Sequence, residues 1–155
     1  MMRALDGRAG APVSSQTTRE RRSWNAGWAA VAILAVVAAL HVYWALGGDW
    51  AAATAWGSTD LPPAAATWIV VLLLTAAIAV VLGRMGLWGR RLPGGVFRVA
   101  AWALVVVFAM VALQNVASGL NEQTYGREWA LFFIAPLVGV LAFLCAIVAR
   151  SAPSR

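Results

Sequence analysis

The sequence has no lysine, one histidine, one cysteine and six acidic residues in 155 positions. Charged residues make up 12% of it, against about 25% in ordinary soluble domains. That scarcity excludes a typical soluble domain. Cys145 is the sole cysteine, which excludes an intramolecular disulfide and a C-x-x-C redox pair. It sits inside an apolar block, where a lone thiol reads as a small buried hydrophobe. The carboxylates Asp49, Asp60, Glu122 and Glu128 all fall outside the apolar blocks, where such groups are usually solvated. The serines and threonines form no nucleophile motif, so no catalytic set with a positioned base emerges. No internal repeat is visible, which weighs against a transporter built from inverted halves.

What remains is apolar and basic. Hydrophobic residues make up 62% of the chain, and the net charge is +6, all of the positive charge carried by arginine. The arginines flank apolar blocks and form no single stripe. This favours anionic lipid head groups as partners over nucleic acid.

Four uncharged blocks stand out: Ala26–Leu46, Ala64–Gly83, Val99–Ser118 and Trp129–Ala149. Each has about 20 residues, enough at ~1.5 Å per residue to cross a hydrocarbon core of ~30 Å. Backbone groups in lipid must be satisfied within the segment, so the blocks are expected to be helices. Short connections make neighbours antiparallel, giving an all-α, up-down four-helix bundle in the membrane. Residues 24–150 form this domain, between a disordered basic tail at 1–23 and a short tail at 151–155. The first block exceeds the usual signal-peptide core of about 7–15 residues, so the mature chain is expected to keep it.

Orientation follows from arginine placement. Arg3, Arg8, Arg19, Arg21 and Arg22 precede the first span. Arg84, Arg90, Arg91 and Arg98 lie between the second and third, and Arg150 and Arg155 follow the fourth. The two opposite loops hold only Arg127. The positive-inside rule then puts both termini on the cytoplasmic side of a cell membrane. Trp24, Trp28, Trp88 and Trp102 fall near the inner ends. Trp44, Trp50, Trp56, Trp68, Trp129, Tyr43 and Tyr125 fall near the outer ends or in the outer loops. These are two belts at head-group depth.

Local signals mark the ends. Gly47-Gly48 offers a left-handed cap for the first helix. Asp60-Leu61-Pro62-Pro63 suits a helix start, and Pro93-Gly94-Gly95 breaks the chain before the third span. Small residues recur at Ala35 and Ala39, and at Thr75, Ala79 and Gly83, a spacing that lets helix backbones approach closely.

One polar cluster falls inside the spans. His41 lies five residues before Leu46, roughly 8 Å inside the outer end of its helix. Gln114 and Asn115 reach a similar depth on the third span, and Gln114, Ser118 and Asn121 share a face there. Pro136 removes a hydrogen bond to the Phe132 carbonyl and is expected to kink the fourth span. His41, Trp44, Gln114, Asn115 and Ser118 are thus candidates for a polar pocket near the outer face. Two readings stay open. The polar groups glue helices together, or they line a site for an amphipathic molecule. One imidazole without a second strong ligand does not make a metal or haem site. Met110, the conceivable axial partner, reads as packing. No cofactor is expected.

The run His41-Val42-Tyr43-Trp44-Ala45-Leu46-Gly47-Gly48 resembles the H-x-x-W-A-x-G-G signature of small bacterial four-span membrane proteins catalogued as a domain of unknown function. Leu61-Pro62-Pro63 and Phe133-Ile134-Ala135-Pro136-Leu137 fit the same family, and the resemblance covers about Trp28–Arg150. Many relatives carry an Arg-x-x-Gly-Asp-type motif where this chain has Gln114-Asn115. The resemblance implies the four-span fold and no particular activity. The expectation is a structural or accessory membrane protein, with room for homo- or hetero-oligomers. The alternative is a binder of, or enzyme acting on, a lipid-like molecule at His41. Small four-span multidrug exporters need an acidic residue within a span, and four-span quinone-linked thiol oxidases need several cysteines. This chain has neither.

Overall fold

A computed structural model describes residues 13–51, 63–89, 92–121 and 126–151. Among them the chain forms helices and no strand. Helix α1 is Val13–Ala45, α2 is Ala64–Arg84 and α3 is Gly94–Leu120. Helix α4 runs over Arg127–Arg150. All four are long and apolar enough to cross a membrane. Their outward faces carry Val36, Leu72, Leu73, Val99, Leu113, Phe132 and Phe143, all exposed. A soluble bundle would bury such residues, whereas an apolar outer surface is what a multi-pass membrane protein presents to lipid.

Helix α1 starts earlier than its apolar block. Residues 13–23, expected to lack regular structure, continue the helix. The backbone ladder propagates through polar residues at little cost once the apolar part has nucleated it. Residues 1–12 of the expected tail lie outside the described residues, as do Asp60 and Pro62.

The far end of α1 closes as the glycines imply. Gly47 has φ +94°. Its N–H donates to the Trp44 carbonyl, and that of Gly48 donates to Tyr43, both at 3.0 Å. These two bonds satisfy carbonyls the helix end would otherwise leave orphaned. Pro63 and Pro93 stand at the N-caps of α2 and α3, where a missing N–H costs nothing.

Pro136 acts by a specific device. The fourth helix is α-helical at Arg127–Trp129, π-helical over Ala130–Ile134, and α-helical again from Ala135 to Arg150. The Ala135 N–H donates to Ala130, five residues back. The wider turn lies just before the residue that cannot donate to Phe132, so the register slips by one residue there.

Helix α1 packs against α2 and α4, and α3 packs against α4 and α2. Thus α1 and α3 occupy opposite corners. The core gathers Ala26, Ala30 and Leu34 of α1, Ala77 and Val81 of α2 with Met85 at its C-cap, and Leu141, Cys145 and Val148 of α4. Each set follows a helical spacing of three or four residues, as a buried stripe must. Cys145 is buried, as expected. The small-residue stripes mostly do not serve this interface: Ala35, Ala39 and Thr75 are exposed. Gly83 does lie at a helix contact, because the Phe97 ring of α3 occupies the space a side chain there would need.

Candidate functional site

The two ends of the bundle differ in chemistry. At the end holding His41, the imidazole turns back on its own helix. Its Nδ1 lies 2.8 Å from the Val37 carbonyl. A carbonyl only accepts, so Nδ1 carries a proton and donates it. The ring meets Trp44 edge-on, with centroids 5.0 Å apart. Trp44 is buried, although most large side chains at this end are exposed. Its indole N–H donates to the Trp50 carbonyl at 2.9 Å. His41, Trp44 and the turn after α1 therefore form one connected line, set by the i, i+3 spacing of the first two and by the Gly47 reversal.

The third-span candidates lie apart from it. Gln114 is exposed on α3. The Asn115 amide donates to Val111 of its own helix at 2.8 Å, and Ser118 is half-buried. The expected meeting of His41 with Gln114 or Asn115 across a helix interface fails on topology. Helices α1 and α3 sit on a diagonal of the bundle. The neighbour of this part of α3 is α4: Gly119 is buried against Leu131 and the Arg127 carbonyl. Met110 is exposed on the apolar surface.

The opposite end holds a residue that sequence reasoning counted only as a loop charge. Arg84, the last residue of α2, is 5% exposed. Its Nη2 donates to the Ser151 carbonyl and, at 3.4 Å, to that of Ala149. The Ala149 carbonyl is one that α4 leaves unpaired at its end, and Ser151 follows just past that end, beside the negative pole of the helix dipole. The Nε of Arg84 is buried without a partner. The sequence signal was its position alone: Arg84 follows Gly83 directly at the end of the apolar block.

Around Arg84 the packing is aromatic. Phe97 covers Gly83 and Gly89 and meets Trp88 edge-on at 5.2 Å. The Trp88 indole donates to the Ala79 carbonyl at 2.7 Å. Met85 fills the space beside Gly27 on α1. Near the end of α4, Arg150 stacks on Trp102 of α3, 5.7 Å from the ring centroid. Among the described residues, no three of His, Cys, Asp and Glu converge as a metal site would require.

Comparison with known proteins adds one assignment. No curated protein and no solved structure matches the chain. A family model described as "Protein of unknown function (DUF3995)" matches residues 34–145. That stretch runs from the middle of α1 to Cys145 and takes in all four helices, so the chain belongs to the DUF3995 family.

Proposed function

We propose that this chain is a non-enzymatic structural or accessory protein of a bacterial inner membrane, with both termini and the α2–α3 connection in the cytoplasm. The carrying observation is how polar side chains in the spans are satisfied. His41 bonds to Val37, Thr75 to Val71 and Asn115 to Val111, each one turn back on its own helix. Thr67 does the same with Pro63. Such bonds let polar residues sit in lipid or between helices without building a site. Eleven arginines lie at the termini and the α2–α3 connection and one lies on the other side, which supports the orientation.

The test pairs topology with ligand response. Alkaline-phosphatase fusions after Gly48 and Tyr125 should be active, and one after Gly94 inactive. Purified protein screened by thermal shift against lipids, quinones and haem should show no stabilisation that depends on His41. A ligand whose stabilisation is abolished by His41→Ala, with the fold intact, would replace this reading with that of a binder of amphipathic molecules.

A further inference from the structure

We propose that Arg98, Trp102 and Arg150 form a binding site for the phosphate of an anionic glycerophospholipid. Arg98 and Trp102 are four residues apart on α3 and so share a face. Arg150 of α4 lies over the Trp102 ring, at the seam between two packed helices, with Arg98 one turn before Trp102 on the same face of α3. Arg98 and Arg150 are both exposed residues. The planar fork of arginine matches phosphate oxygens in pairs.

Charge makes the site incomplete without an anion. Arg84 is buried nearby and close enough to Arg98 for the two to repel. Among the described residues, no carboxylate pairs with Arg84, Arg98 or Arg150. The carbonyls of Ala149 and Ser151 offset part of the Arg84 charge, yet its Nε is buried without a partner. A buried charge lacking a counter-ion is costly, and a phosphate held by Arg98 and Arg150 lowers that cost from outside. The occupant is a lipid because the face continues as apolar surface. Val106 follows Trp102 by one turn and is exposed, in position to meet an acyl chain. Indole rings favour the depth at which head-group phosphates lie.

The site rests on the membrane reading above but is tested independently of sidedness. The full-length protein in neutral detergent is titrated with phosphatidylglycerol, phosphatidylcholine or inorganic phosphate. Bound lipid is counted by native mass spectrometry and unfolding is followed thermally. Phosphatidylglycerol should be retained about tenfold or more over phosphatidylcholine, as two arginines at a charged interface imply. Inorganic phosphate should not raise the melting temperature. Arg98→Gln with Arg150→Gln should cut the preference to about twofold or less, and Arg21→Gln with Arg22→Gln should keep it. If the double variant does not fold, each single variant is scored, with a loss of about threefold expected. Equal uptake of both lipids by the wild type, equal stabilisation by phosphate alone, or an unchanged preference in the Arg98 and Arg150 variants overturns the proposal. Reversed fusion activities would overturn the topology and leave this result standing.

Discussion

The guanidinium of Arg84, at the end of the second span, donates to the backbone carbonyl of Ser151, just past the end of the fourth. One side chain thereby ties together two helices on a diagonal of the bundle and caps one of them. Arg84→Ala is expected to cost about 2–4 kcal/mol, from lost charge-assisted bonds and the cavity left behind. Arg84→Met should cost clearly less, because an apolar side chain of similar length refills the space and removes a buried charge. Denaturant titration in mild detergent measures both. Equal losses would show that packing contributes nothing to the difference.

Gly83 is required by the approach of α3 to α2. A methyl group at this position meets the Phe97 ring. Gly83→Ala should therefore destabilise by about 1–3 kcal/mol. Phe97→Leu should recover part of that loss in the double variant, since it withdraws the ring. Strict additivity in the four-variant cycle would contradict the contact.

Trp44 links the end of α1 to the turn that follows. Trp44→Phe keeps an aromatic ring against His41 and deletes the indole N–H that reaches Trp50. The expected cost is about 0.5–1.5 kcal/mol, with faster amide exchange confined to residues 46–51. Unchanged exchange there would mean that the Gly47 cap holds the turn alone.

Pro136→Ala restores the N–H that the Phe132 carbonyl lacks. Residues 130–134 should then relax from π to α geometry, turning the preceding residues by about 100°. Trp129 and Phe133 would lose their present edge-on contact, with centroids 4.6 Å apart. Carbon chemical shifts across residues 129–135 in micelles report the change. Shifts identical to the wild type would place the cause of the π turn elsewhere.

Much of the fold was legible along the chain. Apolar block length located four helices, and the Gly47-Gly48 cap, the Pro93 break and the disturbance at Pro136 were each readable from residue type. Those features depend on neighbours within a few positions, through lipid solubility, φ preference or a missing N–H. The length of α1 was misjudged because helix propagation does not stop where hydropathy does.

The sequence by itself determined the class of molecule, the number of spans and the asymmetry of its arginines, because lipid selects on composition one segment at a time. Tertiary structure alone decided which helices are neighbours. It set α1 and α3 on a diagonal, and so placed His41 and Gln114 on helices that are not neighbours. It also enclosed Arg84 and brought Arg150 to Trp102. The physical reason is that apolar faces are nearly interchangeable to lipid. Which faces meet is settled by shape, by where Gly27 and Gly83 admit Met85 and Phe97, and by which helix end offers carbonyls to a charge that cannot reach water.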